Sequence, residues 1–201
     1  MNVAHGPAAG QWLALHPREA PALLGHVPAR WWIAGGWALD LFVGRQRRPH
    51  KDLDIGILRR DLQPTLAALS GWELFEARGG ELFGPVTSAV RAGISSLWAR
   101  RAGAHEWVFE LMLDDCEAEQ WVFRRDRRIR RALDTVVRHD REGLPYLAPE
   151  VQLLYKASHT RREDDLDFED VSAHLDEAAR RWLSAALSQL DPQHRWVRAL
   201  G

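Results

Sequence analysis

Asp52 and Asp54, in His50-Lys51-Asp52-Leu53-Asp54-Ile55-Gly56, put two carboxylates at a spacing of two inside an apolar run that reads as a strand. Residues i and i+2 of a strand point to one face. The two acids therefore stand side by side, and Leu53, Ile55 and Ile57 take the other face. Like charges at that range raise each other's pKa and cost stability unless a cation sits between them. A divalent metal is the ordinary remedy, and Mg²⁺ favours one or two carboxylates together with phosphate oxygens. The same spacing also occurs at solvated strand ends, where Arg47 and Arg48 would supply salt bridges.

Gly35-Gly36 lies sixteen positions before Asp52, with one helical stretch between. A tight glycine turn between a strand and a helix lets backbone N–H groups approach an anion that the helix N-terminus also favours. Either feature alone is weak. Together they describe a turn that cradles a triphosphate beside two aspartates that hold the bridging metal. Phosphoryl and nucleotidyl transfer by two metals usually needs a third carboxylate on a neighbouring strand. Glu110, the acid within the apolar run Trp107-Val108-Phe109-Glu110-Leu111-Met112-Leu113, is the candidate. A lone carboxylate buried there is costly without a partner, and its plainer reading is an ion pair with an arginine such as Arg100. Asp114 and Asp115 read as turn residues at the strand's end, with Asp114 in reserve as the third acid.

The elements that must position these groups follow from periodicity. Gln11 to His26 has helical spacing broken at Pro17 and Pro21, a short entry helix. Arg30 to Ala34 reads as a buried strand ending at Gly35-Gly36. Trp37 to Val43 then has helical spacing, and Gly44 follows as a C′ glycine. Lys51 to Leu58 is the second strand, and Asp61 is the expected N-cap of a helix to Leu69. Trp72 to Arg78, Ser95 to Arg101 and Glu106 to Leu113 are further strands, with turns at Gly79-Gly80 and Gly103; Trp121 to Arg125 adds an edge strand. After Pro145 the period becomes helical: Pro149 to about Thr160, about Glu163 to Leu175, and a last helix whose Ala179, Trp182, Leu183, Ala186, Leu187 and Leu190 share one face. The expected fold class is α+β, a mixed β-sheet core over residues 1–145 with flanking helices, and a helical C-terminal segment over 146–201 packed on it.

Composition narrows the function classes. The chain has 201 residues, 27 basic and 28 acidic, for a formal charge of −1, so no global field favours nucleic acid. Only Lys51 and Lys156 are lysine, and the arginine, alanine and tryptophan usage suits a GC-rich bacterial genome. Cys116 is the single cysteine, which excludes an intrachain disulfide and a cysteine zinc site. No run approaches the ~20 apolar residues of a membrane span, and the N-terminus lacks a signal-peptide layout. The expectation is a soluble cytoplasmic protein without a membrane partner, whose ten tryptophans are mostly packing material.

Gly35-Gly36-Trp37-Ala38-Leu39-Asp40, then Gly44-Arg45, then His50-Lys51-Asp52-Leu53-Asp54 resembles the nucleotidyltransferase superfamily, in its aminoglycoside and lincosamide adenylyltransferase-like branch. Tyr146 to Glu150, Leu153 to Ala157 and Asp164 to Phe168 are similar to the C-terminal segment of bacterial members of that branch. The resemblance implies that Gly35 and Gly36 lie at the nucleotide phosphates, that Asp52 and Asp54 bind metal, and that Glu110 fills the third acidic site where relatives more often carry Asp. It implies two Mg²⁺ ions and ATP or another nucleoside triphosphate, from which AMP passes to a hydroxyl of a small molecule such as an aminoglycoside-like antibiotic. Rival readings are a toxin that modifies RNA or protein, and a catalytically silent regulator that binds nucleotide.

Lys156 is the expected partner of a β- or γ-phosphate, against a plain surface lysine near Glu150. His50 is placed to orient Asp52 or contact nucleotide. Tyr155 reads as core. Six arginines in the eight residues Arg124 to Arg131 read as a solvated face, or as an anion-binding rim for triphosphate or RNA. Six acids from Glu163 to Asp170 would suit a cationic acceptor, or form a solvated helix face pairing with Arg161 and Arg162.

Overall fold

The computed structural model describes residues 10–158 and 160–201, which leaves the N-terminal stretch read for a signal peptide outside the described residues. The entry segment is only partly helical: a 3-10 turn at Pro17–Glu19 leads into α1 (Ala20–Leu24). Residues before it are held otherwise, with Leu13 N–H donating to Trp107 O and Trp107 N–H to Gln11 O. The bulky apolar run Trp31–Ile33 forms β1, and α2 (Gly35–Val43) follows, ended by Gly44 in the left-handed region at φ 81°. Next come β2 (Asp54–Leu58), α3 (Leu62–Ala68), β3 (Trp72–Arg78), β4 (Glu81–Phe83) and β5 (Ser96–Arg101). β6 (Phe109–Glu117), β7 (Gln120–Val122), β8 (Arg130–Ala132), β9 (Val137–His139) and β10 (Pro145–Leu147) complete the strands. The helical end is α4 (Pro149–Ala157), α5 (Arg162–Ser172), α6 (Glu177–Leu190) and α7 (Arg195–Leu200).

The strands make one mixed ten-stranded sheet in the order β4-β3-β5-β6-β2-β1-β10-β9, and β7 and β8 extend from the far end of β6. β2 runs parallel to β6 and antiparallel to β1, while β1 runs parallel to β10. The α+β fold class is therefore as expected. The position 145/146, expected to divide core from helical segment, falls inside β10, and apolar residues from both sides of it share one core with Ile55, Leu111, Leu154 and Leu183.

Several boundaries differ for physical reasons. β6 begins later than Glu106 and runs on through Asp114 and Asp115, which are strand residues and not a turn, because β7 folds back to pair Asp115 with Val122. β7 is not an edge, since β8 covers its other side. Asp61 stands at the N-cap position of α3 but its side chain makes no cap bond; Thr65 Oγ1 instead donates to Asp61 O at 2.7 Å. β4, β8, β9, β10 and α7 are short, with three to six residues each, too few to show a period. Among the described residues no helix is long and apolar enough to cross a membrane.

α4 matters most for the site, because it crosses one end of the sheet and brings three polar side chains over it. Pro149 suits its first turn. Glu150, fully buried beside it, forms an ion pair with Arg131 Nη1 at 2.6 Å and accepts a hydrogen bond from Arg138 Nη2 at 3.2 Å, tying the helix to β8 and β9. Removing one partner of such a group leaves the other charges uncompensated. Glu150→Ala is expected to lower stability by about 3 kcal/mol in urea unfolding, and an unchanged midpoint would show that α4 is held by its apolar face alone.

Candidate active site

The parallel register of β2 and β6 sets Asp54 directly opposite Glu110. Asp52 lies just before β2, not inside it, yet one carboxylate oxygen from each of Asp52, Asp54 and Glu110 lies within 4.8 Å of the others. Backbone bonds lock the arrangement on both sides: Ala34 N–H donates to Asp54 O and Glu110 N–H to Leu53 O, each at 2.9 Å. The alternative pairing of Glu110 with Arg100 does not occur. Arg100 binds Glu73 at 2.9 Å, and Glu110 accepts a hydrogen bond from Ser96 Oγ.

Burial, reinforced by the charges of Glu110 and Asp52, pushes Asp54 well above the ordinary carboxylate value, with Lys156 and Arg161 opposing. Burial also raises Glu110; the Ser96 hydrogen bond pulls it back and Asp52 adds to the rise. Three carboxylates offering hard oxygen donors within 4.8 Å of one another, two of them raised, match the donor set of Mg²⁺. The residues present therefore fit a divalent ion.

Gly35 and Gly36 are the first residues of α2, so the expected turn is the helix's own first turn, where N–H groups have no i−4 carbonyl. Gly35 N–H donates to Gln152 Oε1 on α4 at 2.8 Å. Gly35 adopts φ 63°, and a Cβ there would lie 1.8 Å from Asp54 Oδ2. A Cβ on Gly36 would lie 2.4 Å from the His50 ring. The glycines are thus required by the side chains that crowd them.

These groups line a cleft of about 620 Å³, whose cations are Arg48, Lys51, Arg124, Arg125, Lys156 and Arg161. Lys156 is not near Glu150; its Nζ bridges Asp164 at 2.7 Å and Asp167 at 3.0 Å. His50 borders the cleft, but its Nε2 is bonded to Asp40 Oδ2 at 2.6 Å and its ring packs 4.4 Å from Trp37. Asp114 lies buried under α4, accepting from Tyr155 OH at 2.5 Å and Trp121 Nε1 at 3.1 Å. Tyr155 is half-buried at the cleft wall, with its ring 5.0 Å from Phe123.

The two charge runs largely neutralise nearby partners. Arg127 and Arg130 bind Glu117, Arg128 binds Asp126 and Arg131 binds Glu150, so only Arg124 and Arg125 of that run border the cleft. In the acidic run, Asp164 and Asp167 point inward, bound by Arg161, Lys156, Arg47 and Arg48. Burial opposes ionisation of Asp164, but hydrogen bonds from Arg161 and Lys156 outweigh it and hold the carboxyl at about 2.

Sequence reasoning missed Gln152 and the inward direction of Asp164 and Asp167, and it offered Arg48 as a partner of the two aspartates where the structure pairs it with Asp167. A signal existed for the acids: Asp164, Asp167, Phe168 and Val171 follow the i, i+3, i+4, i+7 spacing of one buried face. Gln152 had none, since its role depends on α4 crossing over β1.

Comparison with known proteins agrees with this geometry. Residues 18–74, which hold the glycine turn and both aspartates, match the family model described as Aminoglycoside-2''-adenylyltransferase. A lincosamide resistance protein of Staphylococcus haemolyticus is 34% identical over 47 residues, 23% of this chain and 29% of that protein, so the chain spans under a third of the curated relative it matches. Among solved structures, the lincosamide antibiotic adenylyltransferase LnuA bound to lincomycin aligns over 80% of this chain and 97% of its own, with TM-score 0.53 and 15% identity. ANT(2")-Ia in complex with adenylyl-2"-tobramycin aligns over 86% of this chain and 95% of its own, with TM-score 0.57 and 16% identity. The fold is that of the nucleotidyltransferases. The resemblance read from the glycine turn and Asp52-x-Asp54 holds: the chain is similar to the aminoglycoside and lincosamide adenylyltransferases.

Two outcomes follow from the crowding of the acids. In chelator at neutral pH, Asp54→Asn relieves buried repulsion and is expected to raise Tm by about 3 °C, while added Mg²⁺ stabilises the parent and not the variant. Gly35→Ala, which drives a methyl into Asp54 Oδ2 and strains φ, is expected to weaken Mn²⁺ binding by about tenfold and cost ~1–2 kcal/mol, read by calorimetric titration and thermal melting. Unchanged Mn²⁺ affinity in Gly35→Ala would remove Asp54 from the ligand set.

Proposed function

We propose that this protein is a metal-dependent nucleotidyltransferase that moves AMP from ATP to a hydroxyl of a small molecule, an aminoglycoside-like or lincosamide-like antibiotic. The observation that carries the reading is the convergence of Asp52, Asp54 and Glu110 within 4.8 Å beside the first turn of α2, in a nucleotidyltransferase fold. The named activities of the matched relatives, lincosamide resistance and adenylyl transfer to tobramycin, support the acceptor class.

In this reading, Asp52, Asp54 and Glu110 hold Mg²⁺, which when bound supplies charge neutralisation at the phosphorus oxygens and the leaving pyrophosphate. The first-turn amides of α2 and the cleft cations position the triphosphate. Glu110 or Asp54 accepts the proton of the acceptor hydroxyl as that oxygen attacks the α-phosphorus, and the bond to pyrophosphate breaks. Lys156, already paired to Asp164 and Asp167, serves this scheme by holding α5 against the cleft and by offsetting the charge on Asp54. His50, bonded to Asp40, steadies the wall behind Gly36. The arginine run that suggested an RNA acceptor is mostly tied to acids of its own chain, which favours the small-molecule reading.

The test uses α-labelled ATP, Mg²⁺ and a panel containing tobramycin and lincomycin. Labelled adenylyl product is expected from the parent, falling by at least about 10²-fold in Glu110→Gln and below detection in the double variant Asp52→Ala with Asp54→Ala. Nucleotide binding without product across antibiotic, RNA and protein acceptors would instead assign a silent regulator.

A further inference from the structure

Glu110 borders two cavities. One is the cleft it shares with Asp52 and Asp54; the other is a hollow of about 260 Å³ on the β3–β5 side, lined by Gly79, Gly80, Leu82, Ser96 and Trp98. A glutamate has one more rotatable bond than an aspartate, and ordering a longer side chain costs more conformational entropy. Glu110 thus has two places to go, and one of them takes it away from the aspartates.

Its cross-strand neighbours decide between them. Opposite Glu110 stand Asp54 on β2 and Trp98 on β5. Ser96 and Arg100, two positions either side of Trp98, share its face and are the diagonal neighbours of Glu110. Arg100 is the obvious partner for a buried acid, but Glu73 holds it, and its guanidinium packs over the rings of Phe75 at 4.6 Å and Trp107 at 5.2 Å. Trp98 is fixed edge-on by Trp12 at 4.8 Å and by Trp107 at 5.5 Å, which makes its ring a firm wall on the β5 side. Ser96 Oγ is left, and it donates to Glu110 Oε1. In that same conformer an oxygen of Glu110 lies within 4.8 Å of oxygens from Asp52 and Asp54. A neutral hydroxyl orients a carboxylate without cancelling its charge, whereas a bidentate arginine occupies both oxygens and neutralises them. The charge of Glu110 stays available to a metal ion or to the proton of an acceptor hydroxyl.

We propose that Ser96 is the positioning residue of Glu110: its hydroxyl holds the carboxylate at the point shared with Asp52 and Asp54 and keeps it from turning into the smaller hollow. The inference rests on the nucleotidyl-transfer reading, in which Glu110 is a metal ligand or the base, and adds the group that makes this longer third acid reach. Ser96 itself touches neither nucleotide nor acceptor. Its effect therefore appears in metal affinity and in turnover, and not in the apparent affinity for ATP once metal is saturating.

The test compares Ser96→Thr with Ser96→Val, which match in shape and differ in the hydroxyl, beside Ser96→Ala, all in the full chain. Mn²⁺ affinity by calorimetric titration is expected to fall about fivefold in Ser96→Ala and Ser96→Val and to stay near the parent in Ser96→Thr, whose added methyl has room in the hollow. In adenylyl transfer from α-labelled ATP at saturating Mg²⁺, kcat falls in Ser96→Ala and Ser96→Val and returns in Ser96→Thr, while KM for ATP does not change. The loss also disappears where Glu110 is already replaced: on a Glu110→Gln background, Ser96→Ala leaves Mn²⁺ affinity unaltered. If Ser96→Ala does not fold by circular dichroism, the Thr and Val pair carries the comparison. Equal Mn²⁺ affinity in Ser96→Thr and Ser96→Val, or a full loss that persists beside Glu110→Gln, overturns the assignment and leaves the reading of the reaction standing. A lower Tm with Mn²⁺ affinity and kcat unchanged does the same, since the hydroxyl then only stabilises β5. A parent that neither binds Mn²⁺ nor forms labelled product overturns both.

Discussion

Three carboxylates forced into one place is the constraint on which the rest of the structure depends. Their mutual repulsion would pull β2 and β6 apart at that end of the sheet, and it is resisted by the backbone. The parallel ladder from Asp54 to Leu58 against Glu110 to Asp114, with the bonds Ala34 N–H to Asp54 O and Glu110 N–H to Leu53 O, makes the pairing rigid. Ile55, Ile57, Leu111 and Leu113 bury the other face without gaps in polarity. The strain is thus left in the side chains, where a cation can relieve it, and kept out of the fold.

The surrounding charges are arranged so that every deeply buried acid outside the trio has a fixed partner. Asp40 is bound by Arg47 and His50, Asp167 by Arg47, Arg48 and Lys156, Asp164 by Lys156 and Arg161. This network stitches α2, the segment before β2, α4 and α5 into one wall. Its consequence is selective: acids in the network are held ionised, while Asp54 and Glu110 are pushed the other way. The same residue type therefore serves two tasks within one cleft, set by whether an arginine or lysine stands beside it.

Much of this was legible before any coordinates. The strand and helix from Trp31 to Gly44, the second strand from Asp54 to Leu58, and Trp72 to Arg78 emerge where the sequence predicted them, with Asp52 falling just before its strand, because apolar periodicity and glycine punctuation are local signals. Glu110 was legible for another reason: a carboxylate inside an apolar strand is expensive enough to need a use. Asp114 was misread as a turn residue because the groups that make its burial tolerable, Trp121 Nε1 and Tyr155 OH, lie 7 and 41 positions away.

By itself, the sequence determined which atoms can do chemistry: paired acids at a strand start, a turn without side chains, and a third acid that must be buried. Those properties are carried by residue type and short spacing, so they survive without knowledge of the neighbours. Only the tertiary structure decided which charges are free. Strand order put Glu110 opposite Asp54 and Arg100 opposite Glu73; α5 packing consumed Lys156 and half of the acidic run; the path after β7 left Arg124 facing the cleft and tied its neighbours to Glu117, Asp126 and Glu150. Electrostatic partners are chosen by distance in space, and a chain of one-dimensional spacings does not contain that distance.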